Sequence, residues 1–385
     1  MGAVNLRPSI ASIAATAGRA IAVASGAAGL AWLFRAAWEV PSAIGASVSA
    51  IQPYAASAVN YRDRRFHNTE PSAQLAPGSA PGLIGAMLTR GSIGRPKGPV
   101  PLATPVVPAE AGALAATWYG HASVLVELDG RRILVDPVWS RRVSPSSLIG
   151  PARLHPVPAP LDSVPSLDAV VISHDHYDHL DKPTICALAE QQRMPFVVPL
   201  GIGAHLRGWG VPDDRIVELD WGSSTTVAGV AISCTEARHF SGRGLLRNTT
   251  LWASWTFAGP EHRVFFGGDT GYTKAFADIG ATYGPFDFTL LPIGAYGAQW
   301  PDIHMNPEEA VQAHADLNQG DPGHGTLVPI HWATFDLALH SWAEPVERLV
   351  AAAAAAGTEL TLPLPGQRVD LLRPTESEQW WRRVG

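Results

Sequence analysis

Ser173-His174-Asp175-His176-Tyr177-Asp178-His179 follows directly on the apolar run Ala169–Ile172. Three imidazoles and two carboxylates fall within the six residues from His174 to His179. Imidazole and carboxylate are the ligands zinc takes where thiolate is missing. Crowding so many titratable groups is costly unless a cation offsets them. A buried strand ending in such a loop presents the groups at the rim of a sheet. In an irregular loop His174 and His176 point to one side. Asp178 and His179 begin the next turn and reach a second position, so one loop can serve two adjacent metals.

Working outward, three more ligand types follow strands at the same kind of place. His239 lies in the loop after the strand around Val230–Cys234. Asp269 follows the strand Arg263–Phe266 through Gly267-Gly268, and His331 follows Leu327–Ile330 at once. Strand ends converge on one rim, so residues distant in sequence meet there. Alone, His331 reads as a core histidine; with the other two it reads as a ligand.

Composition narrows the classes. The chain has 385 residues, 46% hydrophobic and 16% charged, which is the balance of a folded core and not of disorder. A net charge of −6 argues against general nucleic-acid binding. Two cysteines, Cys186 and Cys234, make neither a disulfide framework nor a cysteine-rich zinc site. Any metal is held by His and carboxylate.

Strands are expected at Thr117–Tyr119, Ser123–Leu128, Arg132–Val135, Phe196–Val198, Leu251–Phe257 and Glu359–Leu362, besides those named above. Asp129-Gly130 reads as a two-residue hairpin turn. Helices are expected at Lys182–Gln192, from Asn306-Pro307 to about Leu317, and at Glu347–Ala356 closed by Gly357. Residues 115–385 therefore form the catalytic domain, with sheets covered by helices. Residues 51–114 read as an extension whose Pro- and Gly-rich part, 76–108, forbids a continuous helix. Residues 1–50 read as a hydrophobic segment. Its fifteen uncharged residues Ala20–Phe34 approach the length of a spanning helix. A membrane-associated helix on the cytoplasmic side is the expectation. A cleaved export signal and a helix packed on the domain stay open. Removal of residues 1–50 is expected to leave the catalytic domain intact.

The motif set resembles the metallo-β-lactamase fold. TWYGHASVLVELDGRRILVDPVWS (117–140), FFGGDTGY (265–272), LPIGAYGAQW (291–300), NPEEAV (306–311) and PIHWATF (329–335) are similar to one branch of it. That branch contains N-acylphosphatidylethanolamine-hydrolysing phospholipase D and its bacterial relatives. The resemblance covers about residues 60–350. It implies an α+β fold, the αββα sandwich, and two zinc ions. It gives one zinc to His174, His176 and His239 and the other to Asp178, His179 and His331, with Asp269 bridging. Diiron relatives usually carry glutamate at the second histidine; His176 here favours zinc. The implied activity is phosphodiester hydrolysis of an N-acylated phosphatidylethanolamine-like lipid by a metal-bridging hydroxide, Asp178 and Asp269 being the catalytic carboxylates. A lactonase or sugar-phosphate lactone hydrolase of the same fold is the alternative.

Around this centre, Tyr177 is a candidate phosphate donor, and His304 and His340 are candidates for the substrate pocket. Asp136 can orient a ligating imidazole, and His121 either supports the ligands or is buried structure. Trp139, Trp300 and Trp332 are candidates for an acyl pocket. The partners expected are a lipid or phosphodiester substrate and a membrane surface; the oligomeric state is left open.

Overall fold

The computed structural model describes residues 29, 31–373 and 378–385. A short hairpin, β1 (Tyr61–Arg62) and β2 (Arg65–Phe66), precedes two seven-stranded sheets. The first holds β3 (Leu114–Gly120), β4 (Ser123–Leu128), β5 (Arg131–Val135), β6 (Ala169–Val171), β7 (Phe196–Pro199), β8 (Ile216–Leu219) and, at its other edge, β16 (Arg368–Asp370). The second holds β9 (Ser224–Val227), β10 (Val230–Thr235), β11 (Ser254–Ala258), β12 (Arg263–Phe266), β13 (Phe288–Pro292), β14 (Thr326–Ile330) and β15 (Glu359–Leu360).

Period-two alternation sorts each strand between two layers. In β4, Val124, Val126 and Leu128 join the core between the sheets, whereas Leu125 joins the cluster on the outer face. In β5, Ile133 and Val135 turn inward and Leu134 outward. The outer face of the first sheet packs on Ile185 and Leu188 of helix Lys182–Gln191 and on Ile202 and Leu206 of helix Ile202–Gly208. Helices Ala275–Tyr283, Pro307–Leu317 and Glu344–Ala356 cover the second sheet. The result is the expected α+β sandwich of two sheets faced by helices. The Asp129-Gly130 turn has positive φ at both residues, as the tight hairpin requires.

Both sheets share one plan. Each begins with antiparallel neighbours and continues with parallel ones: β5 to β8 in the first, β12 to β15 in the second. Parallel strands end on the same rim, where ligands collect in open α/β sheets. Residue 136 after β5, 173–179 after β6, 269 after β12 and 331 after β14 therefore share one rim.

Several expectations change. Within 76–108, Ala80–Thr89 is a ten-residue helix with Pro in its first turn, where proline costs no hydrogen bond. Leu251 and Trp252 lie outside β11 as buried loop, although a strand was read from Leu251. There Leu251 N–H donates to Leu200 O and Ala253 N–H to Ser173 O, so the loop is tied to the metal-loop side instead of pairing in the sheet. The segment read as an extension also enters the core: Ile51, Ala55 and Phe66 are buried against Ala237, Leu251 and Trp252. Among the described residues no helix is long and apolar enough to cross a membrane. Most of the run Ala20–Phe34 lies outside the described residues; 31–38 is helical.

Candidate metal centre

Asp136, just past β5, organises the loop after β6. Its Oδ1 accepts Ser173 N–H at 2.7 Å, and its Oδ2 accepts Ser173 Oγ at 2.6 Å and His179 Nδ1 at 2.7 Å. The last bond fixes the His179 tautomer and turns Nε2 toward the rim, the supporting role read for Asp136 in the sequence. His179 N–H and Leu180 N–H both reach His176 O, at 3.1 and 2.8 Å, which makes the turn that separates the two halves of the motif.

The ligand-type residues gather in two groups, each with its nitrogen and oxygen atoms within 4.8 Å of one another. His174, His176, His239 and Asp269 form the first; His121, Asp178, His179 and His331 form the second. In the first, His174 Nε2 lies 2.8 Å from His176 Nδ1, and His239 Nε2 lies 3.3 Å from the same atom. In the second, Asp178 Oδ2 lies 3.6 Å from His179 Nε2 and 3.5 Å from His331 Nε2. Asp269 stands between them. Its Oδ2 is 3.8 Å from His174, 3.7 Å from His239 and 3.3 Å from His179, and its Oδ1 is 3.1 Å from His331.

These separations suit a cation. Ligands 2.0–2.1 Å from a tetrahedral ion stand about 3.3 Å apart. Nε2 of His179, Nε2 of His331 and Oδ1 of Asp269 are buried without a hydrogen-bond partner, which is costly for polar groups unless something else binds them. The donor set, imidazole and carboxylate without thiolate, agrees.

Electrostatics divides the cluster. Burial alone would lower His179, but the charges of Asp269, Asp178 and Asp136 outweigh it and hold the imidazole well above its usual value. His331 is pushed up to about 9, burial being overcome by Asp269 and Asp178. His174 and His239 are held well below by burial. Burial would raise Asp178 and Asp269, yet the facing imidazoles, His179 first, hold both well below the usual carboxylate range.

The two aspartates of the motif part company. Asp178 faces the second group. Asp175 turns away: its Oδ1 accepts Gly242 N–H at 2.6 Å and its Oδ2 accepts Thr250 Oγ1 at 2.9 Å. Arg243 locks the loop from behind. It is buried, and its Nη1 donates to Asp175 O and Leu180 O, both at 2.7 Å. Tyr177 is a correction. Its hydroxyl donates to Arg243 O at 2.7 Å and its ring lies under the guanidinium, so the phenol is engaged in holding the loop. His340 lines the same cleft as His304, with its ring nitrogens engaged: Nε2 accepts Ala295 N–H at 3.0 Å and Nδ1 faces Ser341 O at 3.0 Å. His304 does sit at the centre: its ring is 5.0 Å from that of His239 and 5.2 Å from that of His331, and Nδ1 has no partner. Trp332 stacks on Trp118 in the core, and Trp139 and Trp300 donate their indole N–H to Ala159 O and Ala295 O.

One residue that holds a candidate ligand, Asn68, escaped the sequence reading. Asn68 clamps His239, accepting its N–H at 3.1 Å and donating to its carbonyl at 2.8 Å. No local signal marks it. His121, read as support for the ligands or as buried structure, lies with its Nε2 2.9 Å from Asp178 Oδ2, in the second group. Its place just after β3, at Gly120, was the available clue.

Residues 131–332 match the family model described as a beta-lactamase superfamily domain. The chain is 55% identical over 370 residues to an uncharacterized protein of Mycobacterium tuberculosis, covering 94% of this chain and 99% of that one. It is 38% identical over 249 residues to N-acyl-phosphatidylethanolamine-hydrolyzing phospholipase D 1 of Caenorhabditis elegans, covering 61% of this chain and 68% of that one. Among solved structures, Igni18, a metallo hydrolase of Ignicoccus hospitalis, superposes with a TM-score of 0.52 at 23% identity, over 66% of this chain and 97% of that one. Two sheets meeting at a rim of paired His/Asp groups, together with these matches, make the chain a member of the beta-lactamase superfamily and a metal-dependent hydrolase of the metallo-β-lactamase fold.

Proposed function

We propose that the chain is a binuclear zinc phosphodiesterase of phospholipase D type, acting on N-acylated phosphatidylethanolamine-like lipids at a membrane surface. The observation that supports the binuclear reading is Asp269, whose carboxylate stands within 3.8 Å of His174 and His239 in the first group and of His179 and His331 in the second. His174, His176 and His239 would hold one ion, Asp178, His179 and His331 the other, and Asp269 both. Bound there, zinc supplies Lewis acidity and a water activated for attack at neutral pH.

The chain's own groups do the rest. Asp136 keeps His179 in the ligating tautomer. Asn68 and the Ile303 carbonyl, 2.8 Å from His239 Nδ1, hold His239 in place. His304, held down at about 4 by burial, is neutral at working pH and offers its free Nδ1 to a phosphate oxygen. The 38% identity to a lipid phosphodiesterase supports phosphorus as the centre attacked. The surface supports a lipid setting. Trp32, Leu33, Phe34 and Trp38 are exposed, Trp38 by 71%. Leu245 and Leu246 protrude from a loop whose Gly244 lies against Ile44. Exposed Trp, Phe and Leu on one helix suit an interfacial position.

Hydrolysis in labelled water tests the reading. The label is expected in the phosphate of a phosphatidate-type product. A label found only in a carboxylate would instead make the chain a lactone or acyl hydrolase. Elemental analysis of metal-replete protein is expected to give two zinc ions per chain.

A further inference from the structure

A cleft of about 430 Å³ opens beside the ligand groups, with His304 at its inner end. Tyr296 and Leu339 give it apolar walls, and Glu309, Glu344 and Arg348 line its far side. Glu308 stands with Glu309 and Arg348 where the groove continues outward. Three carboxylates thus face a single cation. Arg348 is itself engaged, donating to Glu308 at 3.0 and 2.6 Å and lying 3.5 Å from Glu344. Glu308 is held below its usual range by those Arg348 bonds. Burial would raise Glu344, but the Tyr296 hydroxyl at 2.8 Å and the Ser341 amide at 3.3 Å keep it low. His340 adds no charge, because burial lowers it and Nε2 accepts a backbone N–H.

We propose that this cleft seats the alcohol side of the phosphodiester and selects it by charge, admitting neutral or cationic headgroups and rejecting anionic ones. The proposal rests on the phosphodiesterase reading above. The substrate's phosphodiester is drawn to the ligand groups, beyond His304. A second anion a few atoms away lies against a net excess of carboxylate, and a walled cleft concentrates that field. The alcohol side of an N-acylated headgroup suits this cleft: its acyl chain can lie on the Tyr296 and Leu339 walls while any charge it carries meets Glu309, Glu344 and Arg348. Glu344 and Arg348 are the specificity-determining residues, working in opposite directions.

The test compares short-chain phosphatidylethanolamines that differ by one charge, N-butyryl against N-succinyl, on the zinc-loaded full chain. kcat/KM is measured for each, and calorimetry gives Kd for the matching non-hydrolysable phosphonates. The neutral member is expected to win by roughly tenfold in both readouts. Glu344→Gln is expected to narrow the ratio and Arg348→Gln to widen it, with thermal melts confirming folded protein. A ratio near unity, or one that neither variant moves, overturns the proposal. If no phosphodiester is cleaved, the preceding functional reading falls, while the phosphonate ratio still decides the charge selection.

Discussion

Asp136→Asn isolates the support of one ligand without touching the ligands themselves. The native carboxylate accepts three hydrogen bonds, two from Ser173 and one from His179 Nδ1. The amide oxygen can keep the bond from Ser173 N–H. Its NH₂ then faces Ser173 Oγ, which can rotate to accept, and His179 Nδ1–H, which cannot. The imidazole must give up that contact or shift its proton to Nε2, the atom that faces the ligand groups. A hydrogen bond to a charged group contributes about 1.5–3 kcal/mol. At 1.4 kcal/mol per decade this corresponds to a loss of roughly 10–100-fold in metal affinity, the range known for such supporting partners. Competition against a chromophoric chelator measures it, and circular dichroism checks the fold. Unchanged affinity in a folded variant would refute the claim that Asp136 sets the His179 tautomer.

Metal uptake is expected to release protons: His331, pushed up to about 9, carries a proton below that pH that must leave on ligation, so affinity rises as pH climbs from 6.5 to about 9 and then levels. Calorimetry in buffers of different ionisation enthalpy reads this, and identical heats in all buffers contradict it. Asp269→Asn is expected to reduce turnover by orders of magnitude and to lower metal content below that of the native chain, since an amide cannot neutralise charge between two cations; near-native turnover removes Asp269 from the bridging position. Deletion through residue 38 supplies the reference. Deletion through residue 50 removes Ala43 O from Arg243 and Ala46 N–H from His205, and is expected to cost about 1–3 kcal/mol in urea unfolding. Equal midpoints for the two truncations would show that residues 39–50 are dispensable.

What was legible in the sequence is what acts locally. The motif at 173–179 carries its meaning in spacing alone. The Asn306 capping box is complete, with Glu309 N–H on Asn306 Oδ1 and Glu309 Oε2 on Asn306 N–H, both at 2.9 Å. Strands rich in Val, Ile and Leu were found to within a few residues. β8, β9 and β16 escaped, being short, at or near a sheet edge, and partly polar or exposed. β13, though wholly buried, was passed over because its apolar run merges into the Pro-Ile-Gly-Ala-Tyr motif.

The residues that hold the site were illegible for a different reason. Asn68 reaches His239 across 171 positions, and Tyr177 reaches Arg243 across 66. Neither pairing leaves a mark at either end, because each partner is an ordinary polar residue in its own neighbourhood. The ligands could be read because chemistry demands particular side chains, and parallel strands in both sheets deliver them to one rim. The supports depend on the trajectory of loops, and many side chains can supply one hydrogen bond. Asp175 and Asp178 show the boundary between these cases. Composition and spacing treat the two alike. They are separated by Gly242 and Thr250, which meet Asp175 from a loop some seventy residues away and leave Asp178 alone to face His179 and His331.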